Sequence, residues 1–345
     1  MNSVLQVLTQ FCCLADQPVD SLAVQSLGNN GGFSGSQLFR VATHSGSLLL
    51  RKLPRTGNPY GKRQIWIHQV IEHCFQNGCW FLACPEKSVA GATLVNFNDS
   101  LWQAERWIEG EASYESNPSN SKLDSIFGSL TQFHEISSKF SSKLGPVPAV
   151  RNRISRLHQL ADIRSEEIRQ SLQVRPAPLK ARLFPLAIQV CELFHRFRDP
   201  VAHDLNQLSD QNLRLVPCFR DIWHDHLLFE GEKLNGIVDY GALDIDHPAT
   251  DISRLSVSLA SDDPSSFPNA YEAYRRHANL SDLEVELGFT LNRANILMSS
   301  MNWIDWIYRQ ERTFDSHELI EKRMSRNIKH MQFLENPTQN HLFDR

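Results

Sequence analysis

The sequence predicts an α+β protein of two lobes, a small β-rich amino-terminal lobe and a larger, mainly helical carboxy-terminal lobe. Three observations carry this expectation. Short strand-like runs broken by turn residues recur between Leu38 and Ile108, apolar residues return at helical spacing from Leu123 onward, and the polar run Ser113 to Ser121 separates the two patterns. The limits they suggest are residues 1–108 for the first lobe, 109–121 for a hinge and linker, and 122–345 for the second lobe.

Composition narrows the partners. With 345 residues, 41% of them apolar and 21% charged, the chain has the balance of an ordinary globular protein. A net charge of -4 supplies no basic field, so no nucleic-acid partner is expected. No apolar run approaches the roughly 20 residues that span a bilayer, and no Lys or Arg precedes Arg40 to begin a secretory signal. The expectation is a cytoplasmic protein with no membrane partner. Seven cysteines without a C-x-x-C pair point to reduced thiols, and the spacing of Cys74, Cys79 and Cys84 does not match a zinc knuckle.

Val4, Leu5, Val7, Leu8, Phe11 and Leu14 have the spacing of an amphipathic opening helix. Gly28, Gly31, Gly32 and Gly35 then lead into a hairpin whose strands cover Leu38 to Val41 and Ser47 to Leu53 around His44-Ser45-Gly46. A helix is expected from Gly61 to Phe75, closed by Asn77-Gly78, and a β-rich passage from Trp80 to Ile108. Leu123, Ile126, Phe127, Leu130, Phe133 and His134 form a helical stripe. Residues 151–172 and 179–198 read as amphipathic helices parted by Pro176 and Pro178, and helices are again expected over 251–259, 267–277, 283–309 and 316–334.

Chemistry concentrates between Phe219 and Gly241. Asp221 and Asp239 flank a short apolar hairpin, an arrangement suited to holding a hydroxyl and a metal-bound phosphate together. In the first lobe, Leu48 to Leu50 lead into Arg51 and Lys52. Alternation along a strand sends the two cations to opposite faces, so only one of them faces a site on that sheet.

In this order the glycine-bearing hairpin, the Leu50-Arg51-Lys52 strand, Trp107-Ile108-Glu109-Gly110, Leu130-Thr131-Gln132-Phe133-His134 and the two carboxylate motifs resemble the aminoglycoside phosphotransferase and choline kinase-like group. The resemblance covers roughly Gly28 to Leu259 and implies a bilobal protein-kinase-like fold, ATP and a divalent metal, Mg or Mn, as cofactors, and a small-molecule acceptor. By the same resemblance Asp221 is the catalytic Asp that orients the acceptor hydroxyl, and Asp239 in Val238-Asp239-Tyr240-Gly241 is the metal ligand. Arg51 aligns with the phosphate-binding Lys, with Lys52 as its competitor. Gly31, Gly32 and Ser34 offer backbone N–H groups to the phosphates, and hinge backbone around Trp107 receives adenine. Asp251 matches the aspartate that ties the following helix to the catalytic loop.

This chain departs from the group at several positions. Phe219 replaces a His, and His226 replaces an Asn five residues after Asp221; imidazole suits Mn²⁺ better than Mg²⁺, and Asp225 is the alternative ligand. No acid lies between residues 61 and 71 to pair with the basic residue, which leaves Gln64, His68 or Glu72 as candidates. The expected function is an ATP-dependent kinase acting on a small-molecule hydroxyl. The alternative is an inactive nucleotide-binding protein of the same fold, and less favoured is a metal-dependent hydrolase using His224 or His226 with Asp221 and Asp239, the His-Asp-His spacing putting both imidazoles on one strand face. For a cationic acceptor, Asp244, Asp246, Asp262 and Asp263 are the candidate acidic wall.

Overall fold

In the amino-terminal part, antiparallel register builds one five-stranded sheet in the order β1-β2-β3-β5-β4, from β1 (Ala23–Gly28), β2 (Gln37–Thr43), β3 (Gly46–Lys52), β4 (Val95–Phe97) and β5 (Ser100–Arg106). The computed structural model describes residues 2–11, 22–28, 35–44, 46–53, 58–175, 177–314 and 316–335. Gly31, Gly32 and Ser34 lie outside the described residues.

Side-chain alternation gives this sheet two unlike faces. Val41, Leu48, Leu50, Trp102 and Ala104 are buried on one face together with Val4, Val7 and Leu8 of helix α1 (Asn2–Leu8). Each fully buried aliphatic side chain there contributes about 1.5–3 kcal/mol of transfer free energy. The other face carries Arg51, Gln103 and Glu105, and helix α2 (Asn58–Gln76) brings Gln64 and His68 to Gln103. The passage from Trp80 to Ile108 holds less strand than expected. Before β4 it proceeds by turns and isolated pairings such as Leu82 with Ile237 and Pro85 with Glu105, the latter closed by the Glu86 N–H on the Ala104 carbonyl at 2.8 Å and the Arg106 N–H on the Cys84 carbonyl at 3.1 Å and not continued into a ladder.

By packing, the chain divides into two units, Met1–Phe140 with Asp225–Leu243, and Ser141–His224 with Asp244–Arg345. This differs from the limits predicted at residues 108 and 122 for a physical reason. Helix α3 (Asn120–Phe140) packs on first-unit elements: Ser125 Oγ accepts the Leu234 N–H at 2.9 Å, and Gln132 donates to the Gly78 carbonyl at 3.1 Å. The hairpin Leu227–Glu230 with Lys233–Ile237 joins the same unit, where Phe229 and Glu111 exchange backbone bonds of 2.9 and 3.0 Å.

The second unit is mainly helical, as predicted. It contains α4 (Pro148–Leu160), α5 (Ser165–Val174), α6 (Pro178–Gln207), α7 (Ala249–Leu259), α8 (Phe267–Arg275), α9 (Asp282–Ile304) and α10 (His317–Phe333). A three-stranded antiparallel sheet accompanies them, with β7 (Asn212–Cys218) between β6 (Lys143–Pro146) and Asp244–Asp246. Leu287, Leu291, Ala294, Leu297 and Met301 of α9 lie in its hydrophobic core. A reciprocal cap between Ser281 and Glu284 starts that helix. The segment expected as one helix over 151–172 is two, because the chain turns after Leu160 so that Ile163 and Ile168 reach the core that Leu157 and Leu160 already fill. Helix α6, in contrast, continues through Pro185 and Pro200. Burial of Val201, Ala202 and Leu205 beyond the second proline offsets the lost backbone bond. Among the described residues no helix is long and apolar enough to cross a membrane.

Gly110 gives a direct test of how the hairpin is seated. Its φ is +131°, and a Cβ at this position would stand 2.9 Å from the Phe229 carbonyl oxygen and 3.2 Å from its nitrogen. Both neighbours are backbone and cannot swing away. Gly110→Ala is expected to destabilise the protein by about 1–3 kcal/mol, read as a lower urea midpoint. An unchanged midpoint would show that the hairpin is not held there.

Candidate active site

Alternation along β3 places Arg51 on the polar face of the sheet and Lys52 on the apolar side, where Lys52 Nζ lies 5.5 Å from the Trp102 ring. That separates the two candidates left open by the sequence. Gln103 stands opposite Arg51 in the β3-β5 register, and Glu105 is its diagonal neighbour. The Arg51 guanidinium spans two carboxylates, with Nη2 3.6 Å from Glu105 Oε1 and Nη1 3.6 Å from Asp239 Oδ1.

Glu105 is only 3% exposed. Burial pushes its carboxyl above the usual carboxylate range, while the Arg51 charge and hydrogen bonds from Tyr240 and Gln103 pull it back. The Tyr240 hydroxyl, bonded to Glu105, also lies 2.9 Å from the Ala83 carbonyl oxygen. Glu105 is therefore the acid beside the basic residue, and it comes from a neighbouring strand. Of the α2 candidates, Glu72 pairs with Lys87, and Gln64 and His68 hydrogen-bond Gln103. Burial lowers His68 to a pKa of about 4, so its ring is neutral at pH 7 and serves only as a hydrogen-bonding group. The signal in the sequence is an acid at the same parity as Gln103 in the strand-like run Leu101-Trp102-Gln103-Ala104-Glu105.

Asp239 has a φ of +60°, a left-handed conformation that strains a residue with a Cβ. Its turn is clamped from α2, since Arg63 Nη1 donates to the Gly241 carbonyl at 2.9 Å and Nη2 to the Leu243 carbonyl at 3.2 Å. The Asp239 side chain is 51% exposed, and its second oxygen, Oδ2, lies 3.8 Å from His226 Nε2. One cation with bonds of about 2.1 Å to both atoms would want them about 3 Å apart at an ordinary octahedral angle, so the half-exposed Asp239 carboxylate would have to close on His226 by somewhat under about 1 Å to share an ion with it. The donor set is one carboxylate and one imidazole, which suits Mn²⁺ and leaves other positions for phosphate oxygens and water.

Trp107 follows β5 directly. Its N–H donates to the Ser47 carbonyl at 3.2 Å, and its ring lies 4.3 Å beneath the Arg40 guanidinium, which also pairs with Glu109 at 2.9 Å.

Asp221 belongs to the second unit. Its loop is held by Asp251 near the start of α7, a fully buried carboxylate that accepts the Phe219 N–H at 2.8 Å and the Arg220 N–H at 2.6 Å. This fixes Arg220 at a φ of +67° and turns Asp221 outward, 61% exposed, with Oδ1 2.9 Å from Arg254 Nη2. His224 does not share a strand face with His226. The two belong to a single turn of 3-10 helix, and His224 is buried with Nδ1 2.8 Å from Ser258 Oγ, which removes the basis for a paired-histidine metal site.

The model of the Phosphotransferase enzyme family matches residues 27–285. The chain belongs to this family. No curated protein sequence matches it. Among solved structures, spectinomycin phosphotransferase in complex with ADP and spectinomycin has a TM-score of 0.64 at 12% identity, covering 96% of this chain and 97% of that one. Amicoumacin kinase in complex with AMP-PNP, Ca²⁺ and Ami gives 0.63 at 12% identity, over 95% and 92% of the two chains. A choline/ethanolamine kinase family protein from Mesorhizobium loti gives 0.62 at 14% identity, over 99% and 97%. The kinase-like α+β fold predicted for this phosphotransferase-family chain is the one these structures share.

In this family member the coupling of Arg51 to Glu105 is measurable by a double-mutant cycle. Arg51→Met leaves Glu105 buried without its cation and is expected to cost about 3 kcal/mol in urea unfolding. Combining it with Glu105→Gln should recover at least about 1 kcal/mol of that loss. Strict additivity would mean that the two groups do not interact.

Proposed function

We propose that the protein transfers the γ-phosphoryl group of ATP to a hydroxyl of a small molecule. The observation that carries this reading is Asp239, half exposed, with Arg51 beside one carboxylate oxygen and His226 beside the other. A guanidinium and a metal-binding carboxylate side by side are what a triphosphate terminus needs.

In this mechanism Arg51 binds phosphate oxygens in bidentate fashion, and Gly31, Gly32 and Ser34 contribute backbone donors on the strength of their sequence pattern. The Trp107 carbonyl would receive the adenine amino group, its N–H being bonded to Ser47. Asp239 and His226 would hold the divalent ion, which supplies neutralisation of phosphate charge when bound. Asp221 orients the acceptor hydroxyl and takes its proton as the new O–P bond forms and the bond from the γ-phosphorus to ADP breaks. Alignment matters more than basicity, because such transition states gain chiefly from positioning and charge stabilisation. The proposed place of action is the cytoplasm, where ATP is supplied.

The test is ATP consumption across sugars, amino alcohols and aminoglycosides, with Mg²⁺ and with Mn²⁺. Turnover with at least one acceptor is expected, and Asp221→Ala should lower kcat about 100-fold or more. Mn²⁺ should support the wild-type enzyme better than Mg²⁺, and His226→Asn should shift the preference toward Mg²⁺. Metal-dependent ATP binding without turnover would establish the inactive alternative. An unaltered metal preference in the variant would remove His226 from the ion's ligands.

A further inference from the structure

The acids that the sequence offered to a cationic acceptor are already engaged. Asp244 Oδ2 lies 3.3 Å from Arg220 Nη1, and the fully buried Asp246 has Oδ2 3.3 Å from Arg220 Nε. Asp262 Oδ1 is 3.7 Å from Arg326 Nε and 3.4 Å from Lys329 Nζ, whose charges hold its carboxyl below the usual range against the opposing effect of burial. Asp263 accepts the Ser265 N–H at 3.1 Å as a local cap. None of the four forms an open anionic wall.

What stands beside Asp221 is positive. Arg254 of α7 meets Asp221 Oδ1 through Nη2 at 2.9 Å, reaches Ser299 Oγ through Nη1 at 3.5 Å, and keeps 31% of its side chain exposed. Two of the five donors on this planar group are thereby used. A second guanidinium, Arg323 of α10, lies 5.3 Å above the ring of Trp223, two residues after Asp221. A cationic acceptor brought to Asp221 would meet the Arg254 charge beside it.

We propose that the acceptor carries an anionic group, a carboxylate or a phosphate ester, close to the hydroxyl that receives phosphate, and that Arg254 binds it. This rests on the reading of Asp221 as the residue that orients the acceptor. A guanidinium matches either anion in two-pronged geometry. Arg254 holds Asp221 by Oδ1, so Oδ2 remains to face the hydroxyl while the neighbouring anion occupies other edges of the same guanidinium. The acceptor oxygen bonds to the γ-phosphorus, the bond to ADP breaks, and the hydroxyl proton passes to Asp221.

Charge alone sorts the candidate acceptors, whatever their carbon skeleton. A small-molecule extract of cells that make the protein is fractionated by charge at neutral pH, and each fraction is incubated with enzyme, divalent metal and ATP radiolabelled in its γ-phosphate. Transfer to molecules from the anion-exchange-retained fraction is expected. Arg254→Gln should lower kcat/KM for that transfer about 10- to 100-fold, mainly through KM, with partial recovery in Arg254→Lys. Phosphatase treatment of the fraction beforehand abolishes a phosphate-ester acceptor and spares a carboxylate. Transfer only to molecules from the unretained or cationic fractions overturns the proposal and leaves the kinase reading intact. Absence of transfer from every fraction overturns the kinase reading, and the proposal with it.

Discussion

The Arg51 guanidinium between Glu105 and Asp239 is the contact on which the first unit's candidate site depends. Glu105 sits in a strand whose other face is core, and a carboxylate taken out of water there is costly unless a cation and hydrogen bonds accompany it. Arg51, Tyr240 and Gln103 supply them, and the same guanidinium reaches the exposed Asp239. One side chain thus links the sheet's buried polar layer to the carboxylate that meets solvent. Strand alternation makes this possible: Leu48, Leu50, Trp102 and Ala104 face α1, while Arg51, Gln103 and Glu105 face the opposite way.

The second unit solves a similar problem with backbone. Asp251 is buried without exposure, and two N–H groups of the Phe219–Arg220 segment satisfy it. A deletion of that carboxylate would free the loop's strained Arg220 and with it the direction of Asp221. Arg254, one turn further along α7, meets Asp221 itself. In each unit, then, a carboxylate assigned to chemistry is approached by an arginine on a rigid element, and a buried acid nearby fixes the local frame.

The family and the succession of a β-rich part and a helical part were legible in the sequence, because each rests on local residue types in fixed order. Parity along β3 reduced the basic candidates to one of two, and the pairing with β5 showed which lies on the sheet's polar face with Gln103 and Glu105. Glu105 was missed for a physical reason. Its contact with Arg51 joins strands separated by α2, a non-local pairing that periodicity does not encode, and the helix itself offers Glu72, whose charge is taken by Lys87. The helix limits failed where burial overrode local preference, as at the turn after Leu160 and at Pro200 in α6. The acidic residues near the second motif looked available only because their arginine and lysine partners are distant in sequence or on separate elements.

A crystal structure with Mn²⁺ and a non-hydrolysable ATP analogue, using the anomalous signal of the ion, would decide whether Asp239 and Arg51 receive the metal and the triphosphate. The ion is expected within about 2.2 Å of an Asp239 carboxylate oxygen, with a phosphate oxygen within hydrogen-bonding distance of Arg51. An ion and triphosphate bound away from Asp239, with Arg51 contacting neither, would contradict this assignment.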